Sequence, residues 1–415
     1  MSGYQGGGDD QRKIQPHSRD SFDHFLDASS FSWSQSTYTA IMVALATSLL
    51  LALASASVAW KTGAEKCDAY SHYINYTTVP GFFLQDEAST DASTFDYTTV
   101  SFGLLNRTYP TDSFYGGNLQ NQTQWQRFSA YIDALNANSS DHVAYKVLFL
   151  ARHGEGYHNA AESFYGTPSW NCFWAEEEGN ATVTWRDALL TSDGIAQARK
   201  ANAFWKTQIA TAGLPAPESY YTSPLRRCLY AANITFGGLD LPMDRPFTPT
   251  MKEFFREGIS IHTCDSRSNR THISSLFPTW EFEPGFPEQD PYWNGVTGED
   301  ASSQAARTKI VLDQVFSEDD ATWLSVTSHS GEISTILSVL GHRAFRLATG
   351  QAIPVLVKAE RQYQAYPSST IAGWTSRATC TAPPVTSLAT GGCVCSSGTA
   401  TATATPTATG VARRG

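Results

Sequence analysis

From Lys146 onward, short apolar runs alternate with longer stretches of helical spacing, and this rhythm constrains the fold more than any other feature. "KVLFLAR" (146–152) is a continuous apolar run, the pattern of a buried strand. "TSDGIAQARKANAFWKTQIA" (191–210) reads as a helix opened by Ser192 or Asp193 as its cap. "SYYTS" (219–223) is a short strand, and "PLRRCLYAANITF" follows as a helix with Pro224 in its first turn. "TWLSVTS" (322–328) is a further strand, then "GEISTILSVLG" a helix ended by Gly341. "PVLVKAER" (354–361) closes the pattern as a strand. Strands alternating with helices predict an α/β layered fold with a largely parallel sheet.

The flanks read differently. Residues 1–37 are rich in Gly, Asp and Ser and are expected to be a disordered cytosolic tail. From Tyr38 to Trp60 no residue is charged, a length that spans a hydrocarbon core, with Tyr38 and Trp60 as interfacial anchors. The rival reading is a signal peptide cleaved near residue 56, after "ASA". A retained anchor is favoured, because the polar stretch before it is long and lacks an adjoining basic cluster. Residues 61–140 form a juxtamembrane and N-terminal extension, with "WQRFSAYIDALNA" (125–137) at helical spacing. The catalytic domain is expected over 141–378. From 379 to 415 the Thr, Ala, Ser and Gly content predicts a disordered, O-glycosylated tail. It has no hydrophobic end for a GPI anchor.

Two signals bear on compartment, and they conflict. Lys61 and Lys66 follow the span while 20–37 carries no Lys or Arg, which favours a cytosolic C-terminal side. Against this, Asn75, Asn106, Asn121, Asn138, Asn180, Asn233 and Asn269 each begin a glycosylation triplet beyond the span. Seven sequons among thirteen Asn exceed the rate of about one in five that the Ser/Thr content would give. All seven Cys also lie beyond it, as an oxidising lumen permits. The sequons outweigh two lysines, so the bulk of the chain is expected to face the lumen or the outside. "CVC" (393–395) with Cys380 reads as tail disulfides, and Cys228 as a buried free thiol. A net charge of −10 with scattered basic residues argues against nucleic-acid binding.

Ionisable residues recur where strands end. Arg152 and His153 follow the first strand, Arg227 follows "SYYTS", and His329 follows "WLSVTS". In a parallel α/β sheet the carboxyl ends of the strands form the ligand crevice. Two arginines and two histidines there would make a cationic pocket suited to a phosphate dianion. The helix that begins near Ser330 and Gly331 would add backbone N–H groups. A histidine in such a pocket can attack phosphorus and carry the phosphoryl group. The leaving oxygen needs a proton, and by these arguments Glu253, Glu257 or Asp265 would each serve. His158 and Asn159 beside His153 do not complete a metal-ligand spacing. His142, His262, His272 and His342 are expected to be structural or exposed.

"LARHGEGYHN", "LLTSDGIAQA", "YTSPLRRCLYAA", "EFFREGISIHTCDSR" and "SVTSHSGEI" stand in the order found in the histidine phosphatase superfamily. The chain resembles its phosphoglycerate-mutase-like branch, in a form common in fungi, from about Val79 to Glu360. "FFLQDE" (82–87) and the stretch 277–300 are part of the likeness. The resemblance implies a three-layer fold, a largely parallel central sheet with helices on both faces. It implies His153 as nucleophile, and Arg152, Arg227 (the second of its pair) and His329 as holders of the phosphoryl group. Asn159, Glu155 at the rim and Ser330 would line the substrate pocket. The motif selects Glu257 as the group that protonates the leaving oxygen and then activates water. No metal or cofactor is implied. "RHGEGYH" lacks the "RHGxRxP" extension of phytase-type relatives. The expected activity is hydrolysis of a phosphorylated small molecule, with a phosphomutase or a catalytically silent surface protein as alternatives. Loops 156–190 and 262–300 would wall the pocket.

Overall fold

The structure, a computed structural model, describes residues 73–363, 371–384, 386–387, 393–395 and 398–399. The segments 1–37 and 38–60 lie outside the described residues, as does Cys67. Among the described residues no helix is long and apolar enough to cross a membrane.

The strands in chain order are β1 (Tyr73–Thr78), β2 (Val143–Arg152), β3 (Ser219–Thr222), β4 (Thr250–Met251), β5 (Glu281–Phe282), β6 (Thr297–Gly298), β7 (Trp323–Ser328), β8 (Ala352–Gln362) and β9 (Thr375–Ser376). All but β6 and β9 build one sheet in the order β1-β8-β2-β7-β3-β4-β5. From β2 to β5 every pairing is parallel. β8 runs antiparallel to both β1 and β2. The three-layer α/β expectation therefore holds, with an antiparallel edge that an apolar run alone does not reveal. β7 is buried at every residue, and so is β2 from Lys146 to Leu150. That is why β2 reads as apolar without alternation, while β7 buries small hydroxyl residues among its apolar ones. Lys146 tolerates this position because its ammonium donates to the carbonyls of Asp319 and Ala321.

The helices are α1 (Gln124–Ala137), α2 (Tyr157–Tyr165), α3 (Thr167–Cys172), α4 (Ser192–Thr207), α5 (Arg226–Phe236), α6 (Arg270–Leu276), α7 (Ala301–Glu318) and α8 (Ser330–Val339). The cap of α4 is Thr191, whose hydroxyl accepts from Gly194 N–H at 3.1 Å, and not Ser192 or Asp193. Pro224 lies outside the helix it was expected to open, because Leu225 is the N-cap of α5. The described part of the extension, from Tyr73 to Ser140, is integral to the core. It supplies edge strand β1, and its Phe102, Trp125 and Phe128 pack with Phe149 of β2 and Trp323 of β7.

Part of the Ser/Thr-rich tail is tied down, contrary to the expectation from its composition. Just before it β9 pairs antiparallel with β6, and within it residues 386–387, 393–395 and 398–399 form three short strands. Cys380 bonds Cys395 within the tail, but Cys393 reaches back to Cys172 at the end of α3. Among the described residues Cys228 and Cys264 are free, and both are buried.

Candidate active site

Strand register brings the expected residues together. Arg152 pairs with Ser328 across the parallel β2–β7 ladder, so His153 and His329 leave adjacent strand ends. His153 N–H donates to the Ser328 carbonyl at 3.1 Å, and the two imidazole centroids lie 5.0 Å apart. β3 lies on the far side of β7, and the chain turns from it through Ser223 into α5, which carries Arg227. Arg226, on the neighbouring position, turns away to Asp187.

His153, Arg227 and His329 are all buried. His153 Nδ1 lies 2.6 Å from the Gly154 carbonyl, which can only accept, so Nδ1 carries the proton. Burial first, then the Arg227 and Arg152 guanidiniums, hold this imidazole well below the usual histidine range. The ring is therefore neutral, with its lone pair on Nε2. Arg227 Nε donates to that nitrogen at 3.3 Å and to His329 Nδ1 at 3.2 Å. Its Nη1 is fixed on the Cys264 carbonyl at 2.7 Å. His329, also depressed by burial and by Arg227, keeps its proton on Nε2, which donates to Ser223 Oγ at 2.7 Å.

Arg152 is half-buried, anchored through Nη1 to the Leu347 carbonyl at 2.9 Å, with its Nε enclosed and unbonded. Burial lowers its pKa, with the charge of Glu257 acting against that. Glu257 lies on the irregular stretch after Arg256. Its carboxylate accepts from the N–H groups of Gly258 at 2.9 Å, Glu332 at 3.0 Å and Gly331 at 3.2 Å, so it caps α8. A Cβ on Gly331 would fall 2.2 Å from Glu257 Oε1, which makes glycine a requirement of this contact. Glu253 and Asp265, the other two candidate carboxylates, are committed elsewhere: Glu253 to Arg256 and Arg267, Asp265 to Ser260.

The remaining predicted residues have local duties. Asn159 Oδ1 accepts from Gly156 N–H at 3.0 Å and shapes the turn after His153. The Glu155 carboxylate accepts from the Thr191 hydroxyl at 2.8 Å, which fastens this turn to α4. Ser330 opens α8, and its carbonyl accepts from Ser334. The structure adds a residue that sequence reasoning passed over. His158, in the first turn of α2, stands 5.5 Å from His153, with its Nδ1 enclosed and unbonded. Burial, then Arg227, depress it as well. The second His of "HGEGYH" was its signal. Elsewhere, His262, Cys264 and Asp265 bring donor atoms within 4.8 Å of one another. Burial pushes the Cys264 thiol well up, which disfavours the thiolate a metal would need.

The model of the histidine phosphatase superfamily (branch 1) matches residues 148–350. A protein of Arthroderma benhamiae called "Probable phosphoglycerate mutase" is 47% identical over 287 residues, which cover 69% of this chain and 85% of that protein. The chain belongs to the histidine phosphatase superfamily. "Phosphomutase-like protein 3" of Candida albicans is 41% identical over 223 residues, 54% of this chain and 68% of that protein. A crystal structure of phosphoglycerate mutase from Thermus thermophilus covers 50% of this chain and 91% of its own, at 22% identity and a TM-score of 0.27. Within the superfamily this member is phosphoglycerate-mutase-like.

Proposed function

We propose that the chain hydrolyses phosphomonoesters through a phosphohistidine on His153. The observation that carries this reading is the neutral imidazole with its lone pair on Nε2, enclosed between guanidiniums. Nε2 attacks phosphorus while the ester P–O bond breaks. Arg152 and Arg227 hold the phosphoryl oxygens, where charge develops, with His329 fixed beside Arg227. Glu257 gives its proton to the leaving oxygen. Water then attacks the phosphohistidine, the N–P bond breaks, and Glu257 takes the proton that the water loses. Inorganic phosphate leaves.

A phosphomutase is favoured by one observation, the names borne by the relatives. It would need a bisphosphorylated primer and a basic grip on a carboxylate, and exposed Arg346 is near enough to Arg152 to affect its charge. Hydrolysis is preferred because we place the catalytic part in the secretory lumen or outside the cell, behind a single anchor at 38–60. Supporting that location are the two disulfides and the exposure of six of the seven sequon asparagines, all but Asn269. Mobility on endoglycosidase treatment tests it, and an unchanged band favours a cytosolic domain.

The decisive experiment mixes the full chain with a radiolabelled phosphoester and quenches in alkali, where phosphohistidine survives. Wild type is expected to trap label and release phosphate, and His153→Ala to do neither. Equal turnover by both proteins, or none by either across varied esters, would sink the reading. Label passing to 3-phosphoglycerate rather than water would establish the mutase.

A further inference from the structure

Glu257 has no regular element to hold it, yet the proposed chemistry needs its carboxyl group fixed near the leaving oxygen. The irregular stretch around it is bound by one side chain from α7. Arg307, buried, donates through Nη1 to the carbonyls of Phe254 at 2.7 Å and Arg256 at 3.0 Å, and through Nη2 to that of Glu257 at 3.0 Å. Its Nε reaches both oxygens of Glu299 at 3.1 Å, and Glu299 Oε1 also accepts from Ile259 N–H at 2.7 Å. Nη1 pairs with Glu332 Oε2 at 3.0 Å. Glu332 is steadied by Gln304 at 3.0 Å and Thr308 at 2.7 Å.

These contacts close a ring. Arg307 holds the backbone carbonyl of Glu257 and the side chain of Glu332, while the N–H of Glu332 holds the Glu257 carboxylate. Both ends of the Glu257 residue are therefore referred to one planar guanidinium. A burial of this kind is costly for a charge, and the carboxylates of Glu332 and Glu299 more than restore it. If the group served packing alone, an apolar side chain of similar volume would do as well. The fork instead supplies five donors in fixed directions, which a lysine ammonium cannot reproduce.

We infer that Arg307, with Glu299 and Glu332, is the positioning device for Glu257, and that it acts on the proton-transfer part of the reaction rather than on phosphate binding. The inference rests on the phosphohistidine reading given above. Its signature is selectivity by leaving group. An alkyl phosphate needs a proton delivered as its P–O bond breaks, whereas dinitrophenolate leaves without one.

The test compares kcat/KM, which reports the steps through departure of the leaving group, for glycerol phosphate and dinitrophenyl phosphate on the full chain. Arg307→Lys is expected to lose about 100-fold on the alkyl ester, within the range that general acid catalysis supplies, and less than about 3-fold on the dinitrophenyl ester. Inhibition by inorganic phosphate should be unchanged. Equal losses on both esters, or no loss on either, would overturn the inference. Should the lysine variant fail to fold, Glu299→Gln keeps the shape of the brace and is expected to show the same selective pattern at smaller size. An unselective loss there overturns the inference equally. A wild type silent on both esters would overturn the phosphohistidine reading, and the brace with it.

Discussion

His153 is enclosed with two arginines and two further imidazoles, His158 and His329, all depressed by burial and by Arg227. For a nucleophile this is useful, because the lone pair stays available where a solvated imidazole would be half protonated. For folding it has a cost with a defined sign. Below about pH 6.5 the unfolded chain takes up protons that the folded pocket refuses, so stability falls as pH is lowered through that value. The loss continues until the folded-state pKa is reached, well below. His153→Gln removes one such proton. Its unfolding free energy, measured by denaturant titration between pH 6.5 and 5, should fall less steeply than that of wild type, by about 0.7 kcal/mol per pH unit at pH 6.5 and approaching about 1.4 toward pH 5. Identical slopes would mean that His153 is protonated in the folded protein, which would remove the basis for its role as nucleophile.

At the scale of elements, two close approaches at glycines decide where the site stands, and they differ in what they tolerate. Gly194, in the first turn of α4, meets the turn after β2: a Cβ there would lie 2.0 Å from the Glu155 carbonyl oxygen. That neighbour is main chain and cannot step aside, so Gly194→Ala should cost about 3 kcal/mol or more, read from chemical unfolding. Gly331 at the head of α8 meets only the end of a side chain, Glu257 Oε1. The carboxylate can swing away, so Gly331→Ala should keep its melting midpoint within about 3 °C while losing about 100-fold in kcat/KM for an alkyl phosphate. A Gly331→Ala protein of full activity would show that Glu257 does not act from this position. These elements also mark what a reader of the sequence can reach. β2 declares itself by an unbroken apolar run and β7 by Trp323, Leu324 and Val326 among small hydroxyl residues, and their ends carry His153 and His329. β4 and β5 are two residues each and leave no period to read. The brace on Glu257 is invisible for a different reason. Arg307 lies in an ordinary amphipathic helix, and nothing in its neighbours says which way its guanidinium points.

For the whole molecule, the least foreseen feature is a strap whose described residues are 371–384, 386–387 and 393–395. Composition describes it as a tail, because connectivity of cysteines is not written in their spacing. In the fold its described residues reach from the head of α7 and β6 to the end of α3. Ala372 N–H and Trp374 Nε1 donate to Ser302 and Ser303, β9 pairs with β6, and Arg377 donates to the Glu299 carbonyl at 2.9 Å. Farther on, Cys380 N–H donates to the Cys172 carbonyl at 2.9 Å and Cys393 is bonded to Cys172. Among the described residues these contacts are a two-residue strand pair and individual hydrogen bonds, weak holds of the kind that fray at a terminus, so the disulfide is expected to be the strongest tie. The same bond joins residues 221 apart in sequence, and chain entropy assigns such a closure about 5 kcal/mol against unfolding. Mild reduction, or Cys172→Ser, should therefore act in two stages. Residues 371–395 should first gain protease access and exchange amide hydrogens faster, together with α3 and β6, while the central sheet stays protected. The melting midpoint should then fall by several degrees, up to about 10 °C. Cys228 and Cys264, buried in the core, should react with thiol reagents only after global unfolding. Unchanged exchange in α3 and β6 after reduction would mean that the strap lies on the walls without holding them.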